Sequence, residues 1–201
     1  MADFGSIYAK NYRDGKAYGT GEWVAPEAGV TMRAGYRWSD SNWVLCLKIT
    51  IPKPAKSLIL SFCQSEGGPG GNAKANLRYK FTDAEDESLL NATSDIPGDG
   101  NFEVSLGDYV RNTITIKKML AAGTHYMYIW TNDSSKTSNV LYTRWYTGDY
   151  GFYGSHDELE GASWIKDGGE VKPYLAAIRT GEGVKIHAPY VFEQGEWKAL
   201  N

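Results

Sequence analysis

The sequence predicts an all-β fold, an antiparallel β-sandwich of jelly-roll type, followed by a small hairpin module. Three observations carry this. Side chains alternate with period two over long stretches, as strands require and helices do not. Eight or nine such stretches follow one another at steady spacing, divided by Gly, Pro, Asn and Asp, with almost no helical periodicity. The composition, with 14 Tyr, 7 Trp, 6 Phe and 23 Gly in 201 residues, suits short strands and tight turns. At 42% hydrophobic and 22% charged, the chain has the means to bury a core without staples.

Residues 1–40 are rich in Gly and aromatics and predict an arm or edge segment. Within it, Ser6 to Lys10 reads as a short strand and Asn11 to Gly21 as an extended loop or loose hairpin. Trp43 to Ile51 is a clear strand. Trp43, Leu45, Leu47, Ile49 and Ile51 face one way, Val44, Cys46, Lys48 and Thr50 the other, and Pro52 and Pro54 end it. Ser57 to Cys63 is the next strand, and Gly67-Gly68-Pro69-Gly70-Gly71 a loop. Asn76 to Thr82 alternates Leu77, Tyr79 and Phe81 against polar neighbours. The acidic run Asp83 to Glu87 lacks the spacing of a calcium loop and reads as a solvated turn. Asn101 to Leu106 and Thr113 to Lys117 predict strands, and Lys118 to Ala122 a single helical turn.

Ala121 to Asp133 is the organising stretch, with Gly123 ending a turn. Thr124, Tyr126, Tyr128 and Trp130 alternate with His125, Met127, Ile129 and Thr131, and neither set is cleanly polar. That pattern predicts a central strand covered on both faces, or on one face with an aromatic strip on the other. Val140 to Tyr146 reads as the last sandwich strand, followed by the rings Tyr150, Phe152 and Tyr153. The predicted boundaries are 1–154 for the sandwich with its arm, 155–162 for a polar linker, and 163–201 for the terminal module.

That module carries a repeat. Trp164-Ile165-Lys166-Asp167-Gly168-Gly169-Glu170-Val171-Lys172 aligns with Tyr190-Val191-Phe192-Glu193-Gln194-Gly195-Glu196-Trp197-Lys198 at an offset of 26 residues. Each copy encodes a small hairpin with a glycine turn. Two hairpins bury little by themselves, so the pattern predicts docking on a neighbour or another chain. Trp164, Tyr190, Phe192 and Trp197 are the candidate assembly residues.

The last copy resembles the terminal Y-V-x-(D/E)-G-x-W-K hairpins of tail-associated and minor structural proteins of phages and prophages of Gram-positive bacteria. The resemblance covers about the last forty residues. Here Val171 stands where the first copy's tryptophan belongs, and one extra residue separates the acid from the closing aromatic-lysine pair. Leu120 to Ile129 is similar, over about ten residues, to the Leu-x-x-Gly-x-Tyr strand of galactose-binding-like and carbohydrate-binding sandwiches. Together these resemblances imply a virion structural protein of tail, baseplate or head appendage, made in the host cytoplasm. Its implied partners are other virion proteins, further copies of itself and a host surface glycan. The alternative is a carbohydrate-binding module of a secreted or cell-surface protein.

The chemistry-bearing residues point away from catalysis. Three histidines, His125, His156 and His187, lack metal-ligand spacing, and no Gly-x-Ser-x-Gly elbow or phosphate loop occurs. No metal, cofactor or enzyme activity is predicted. A formal charge of −3 without a basic tract gives no support for nucleic acid. No apolar run approaches membrane length, and the N-terminus lacks a secretory signal pattern. Cys46 and Cys63 fall on different predicted strands and read as buried free thiols, with a pairing between neighbouring strands as the alternative. Rings stack on sugar faces while amides, carboxylates and guanidinium groups bond hydroxyls. Trp130, Asn132, Asp133, Arg144, Trp145, Tyr146, Tyr150 and Tyr153 are therefore the candidate ligand residues.

Overall fold

The computed structural model describes residues 5–25, 31–37, 41–63, 74–105, 111–133, 139–144 and 152–158, and beyond them the strands between 163 and 199. Eleven strands make the sandwich: β1 Ser6–Arg13, β2 Lys16–Ala17, β3 Thr31–Arg37, β4 Ser41–Ile51, β5 Ala55–Cys63, β6 Lys74–Thr82, β7 Gly100–Ser105, β8 Arg111–Ile116, β9 Gly123–Thr131, β10 Asn139–Arg144 and β11 Phe152–Glu158. All pairings are antiparallel. The large sheet runs β10-β3-β4-β9-β6-β7, with β1 on the other edge of β4 and β2 beyond it. The second sheet is β11-β5-β8. The predicted all-β sandwich is therefore the observed class, with the larger sheet curled into a half-barrel.

β4 explains the arrangement. It is bonded to β1 from Trp43 to Thr50 along one edge. Along the other it meets β3 from Ser41 to Trp43 and then β9 from Leu45 to Ile51. Its alternation sends Leu45, Leu47, Ile49 and Ile51 into the layer between the sheets, where Leu58 and Leu60 of β5, Ile116 of β8, and Met127 and Ile129 of β9 meet them. Val44 and Cys46 point the opposite way, into a second cluster with Tyr12, Tyr128, Trp130, Leu89 and Ala92. The central strand β9 is thus covered on both faces over its C-terminal half, the first of the two readings its sequence offered.

One polar side chain pins the curl. Asn11 of β1 is buried; its Nδ2 donates to the carbonyls of Arg33 at 2.6 Å and Val44 at 2.9 Å, and its Oδ1 accepts from the Arg33 N–H at 2.8 Å. It ties β1 to β3 across β4, where no ladder joins them. The β1–β2 turn is tight, with Asp14 at φ 50° and Gly15 at φ 77°, the pair of positive angles that a two-residue hairpin loop demands. The loose loop read over Asn11 to Gly21 is thus a strand end and a tight hairpin.

Three other expectations change. Residues 118–122 hold no helical turn: Leu120 bridges Ala55 in extended backbone. The linker beginning at 155 falls inside a strand, since β11 runs through Glu158 beside β5 and buries His156. β11, not Val140 to Tyr146, is the last strand of the sandwich. Cys46 is a free buried thiol on the face away from the second sheet, as expected of it.

The terminal module has three hairpins, not two: β12 Ser163–Asp167 with β13 Glu170–Tyr174, β14 Ala176–Thr180 with β15 Gly183–His187, and β16 Tyr190–Glu193 with β17 Glu196–Ala199. Their registers are identical. Trp164↔Pro173, Ala177↔Ile186 and Tyr190↔Ala199 are equivalent pairs, as are Asp167↔Glu170, Thr180↔Gly183 and Glu193↔Glu196. The true period is 13 residues, and the 26-residue offset spans two of them.

Replacing Asn11 by Ala strands three buried backbone groups. Asn11→Ala is expected to lower the unfolding free energy by about 2–3 kcal/mol, read from urea denaturation. An unchanged midpoint would show that the curl does not depend on this side chain.

Candidate functional site

The face of the large sheet opposite the interlayer core is divided in two. One half is closed by the segment Asp83 to Asp99, which contains a 3-10 turn, Glu87–Leu89. Leu89 and Ala92 pack onto Tyr128 and Trp130. Polar bonds hold the segment there. Trp130 Nε1 donates to the Thr93 carbonyl at 3.0 Å, and the Asp86 N–H donates to Tyr128 Oη at 2.7 Å. Asn42 Nδ2 donates to the Ala92 carbonyl at 2.8 Å. Arg78 Nη1 donates to the carbonyls of Ser94 and Ile96 at 2.8 and 2.7 Å. Gly98 is required beneath: a Cβ there would lie 2.5 Å from the Tyr79 carbonyl oxygen and 2.6 Å from Arg78 Cγ.

The acidic run is the solvated turn its sequence suggests, with Asp83, Glu85 and Glu87 exposed, and two of its acids help fix the segment. Asp86 Oδ1 accepts from the Ser88 N–H and hydroxyl, and Asp83 meets His125 Nδ1 at 3.2 Å. His125 Nε2 faces the Ala121 carbonyl at 2.8 Å, so both ring nitrogens are engaged with neighbours. Among the described residues, no three His, Cys, Asp or Glu side chains gather as a metal site would require.

The other half of the face is only partly covered, by Trp23, which packs with Tyr126 against the edge of the second cluster. Trp23, on the segment bridged to β1 through Ala9↔Val24, lies beside Tyr126 with ring centroids 5.9 Å apart. Lys10 Nζ sits 5.3 Å and Lys48 Nζ 5.8 Å from the Trp23 centroid. Tyr8, paired with Lys48, is 39% exposed. Thr50 and Thr124 share a hydroxyl hydrogen bond of 3.0 Å at the edge. These rings and cations share one face because Tyr8, Lys48 and Tyr126 are register partners across β1, β4 and β9.

Among the described residues, those singled out from the sequence do not form this site. Trp130 has no exposed surface and its ring nitrogen is taken, so it is core and not a stacking ring. Asn132 follows β9 and lines an open hollow of about 320 Å³ with Arg78, Pro97, Gly98, Gly100 and Asn101; its Oδ1 is buried without a hydrogen-bond partner. The Asp133 N–H closes a turn on Thr131 Oγ1 at 3.0 Å. Arg144 lies opposite Thr31 at the end of β10, and Tyr153 opposite Ser61 in the second sheet, so the set is divided between two sheets. Trp145, Tyr146 and Tyr150 lie outside the described residues. Trp23, Tyr126, Lys10 and Lys48 were the missed group. Tyr126 alone was marked as a candidate ring within its strand, and nothing local told it apart from Tyr128.

The closed half contains buried ionisable groups. Burial, then Cys46 and Glu85, pushes the Tyr12 phenol up from 10.0 to about 12. Burial pushes the Cys46 thiol up from 9.0 to about 12 against the opposing effects of Tyr128 and Lys10. Burial likewise raises Tyr128. All three fold as neutral groups, so they add no pH dependence below about 9. Above that the unfolded thiol and phenols ionise first, and folding stability falls as pH rises toward 12. An alkaline denaturation series should show this decline, with Cys46 inert to thiol reagents until the protein unfolds. Trp130→Phe deletes the bond to Thr93 and shrinks a fully buried indole to a single ring, and is expected to cost about 2–4 kcal/mol in the same assay.

No family model matches the chain. No curated protein matches it either. Among solved structures, the catalytic domain of a GH87 alpha-1,3-glucanase in complex with nigerose is similar at 12% identity and a TM-score of 0.27, over 83% of this chain. The chain spans 30% of that structure's length.

Proposed function

We propose that the chain is a non-catalytic structural subunit of a phage particle, in its tail, baseplate or a head appendage. It joins its neighbours through the terminal hairpins and displays the sandwich. The observation that carries this reading is the triple hairpin with its constant register. By register, Tyr190, Phe192, Trp197 and Ala199 share one face of the third hairpin. Trp164, Lys166, Val171 and Pro173 occupy the same positions in the first, and Ala177, Arg179, Val184 and Ile186 in the second. The other faces carry Asp167, Glu170, Glu193, Glu196 and the recurring Lys172, Lys185 and Lys198. A two-stranded hairpin is marginal in water, and a face rich in apolar residues favours burial against a partner. The four candidate assembly residues all belong to this repeated face, which supports their assignment.

A second reading, a carbohydrate-binding module, is favoured by the ring-bearing half of the sheet face. The two readings are compatible, since a displayed sandwich has a surface free for binding.

Light scattering on the full chain tests the first. A mass that is a multiple of 22.3 kDa is expected, returning to 22.3 kDa in Phe192→Glu/Trp197→Glu with the sandwich melting transition unchanged. A monomer at high concentration that also fails to co-sediment with particles would count decisively against assembly.

A further inference from the structure

We propose that the ring-bearing half of the sheet face binds an anionic saccharide, a sugar chain bearing carboxylate or phosphate groups, through Trp23, Tyr126, Lys10 and Lys48. The rings supply the sugar contact. Their planes are inclined by 53°, so they form a shallow angled wall and not a flat stack. A sugar laid on Trp23 would meet two ammonium groups within reach of the ring's own edge.

The charge is what selects an anion. Among the described residues, Lys10, Lys48 and Lys80 have neither an ion pair nor a hydrogen bond, like the exposed Lys16, Lys56 and Lys117, whereas Lys53, Lys74 and Lys118 each hold a carboxylate; what sets Lys10 and Lys48 apart is the Trp23 ring they share. Lys80 stands opposite Tyr128, two register pairs from Tyr126. The acids nearby, Glu22 and Glu85, are exposed, and neither is within ion-pair distance of these lysines. A neutral sugar would cover two ammonium groups and leave them unpaired, which is costly. An anionic one satisfies them with charge-assisted bonds. Thr50 and Thr124 add hydroxyls at the rim.

Single-stranded nucleic acid also combines bases to stack with charge to neutralise. It is disfavoured here because the sequence has no basic tract that would follow a regular phosphate backbone beyond the patch. The inference concerns the sandwich alone, and its failure would leave the assembly reading untouched.

Titration of the full chain at low salt with polygalacturonate and phosphorylated dextran, against neutral dextran, polyglutamate and oligothymidylate, tests the proposal. Both charged saccharides are expected to bind, with affinity falling as salt rises. Neutral dextran should be weaker by about tenfold or more. Lys10→Gln/Lys48→Gln should abolish binding without moving the melting temperature, and Tyr126→Ala or Trp23→Ala should weaken it by about tenfold. The lysine variant is the firmer arm, since it leaves the packing rings in place. Binding that is absent, as tight for neutral dextran, as tight for polyglutamate or oligothymidylate, or undiminished in the lysine variant overturns the proposal.

Discussion

Everything in the sandwich depends on β4 having no free side. Both edges are hydrogen-bonded and both faces buried over most of its length. A strand in that position cannot slip by one residue without driving Leu45, Leu47 and Ile49 out of the interlayer core and Lys48 and Thr50 into it. The register of β1 and β9 follows, and through β9 that of β6. The curl follows too. One edge of β4 is shared between β3 and β9, so β3 must turn away from β9, and Asn11 supplies in side-chain bonds the backbone pairing that β1 and β3 cannot make directly.

The same constraint makes two environments of one sheet face. Near Val44 and Cys46 the face is apolar and aromatic, and the Asp83 to Asp99 segment closes over it because Asn42, Arg78, Tyr128 and Trp130 bond its backbone groups. A covering loop must satisfy its own carbonyls and N–H groups to lie on an apolar surface. Two residues further along β4, Lys48 replaces an apolar side chain, and cover there would bury an unpaired ammonium. Lysine stems instead run along the rings with their charges in water.

Alternation made β4 and β9 legible in the sequence, because a period of two across nine or more residues leaves few other structures. Local patterns did not reveal which strands pair. β10 joins β3 across a hundred residues of chain, and β11 reads as polar linker because His156, Asp157 and Glu158 look solvated, although His156 is buried. Trp130 and Trp23 show the same limit. In sequence Trp130 sits in an aromatic strip and Trp23 among glycines, yet the first is core and the second lies at the surface. The deciding factor, a covering loop forty residues earlier in the chain, is not local to either. The 13-residue period was hidden for a different reason. The middle copy has Ala177 at the aromatic position and Thr180 at the acid, so the type of side chain failed to repeat where the backbone register did.

That contrast bears on how the two parts of the chain divide their roles. In the hairpins the constant features are register, the β-branched residue paired with lysine, and the turn spacing; Ile165↔Lys172, Ile178↔Lys185 and Val191↔Lys198 recur at every step. The opposite face drifts from Trp164 through Ala177 to Tyr190. A repeat that preserves its geometry while one face varies is suited to docking three times on surfaces that differ in detail, whereas a uniform face would suit stacking the hairpins on one another. Docking of that kind would ask nothing of the sandwich's ring-and-lysine face, which has its own chemistry and its own charge.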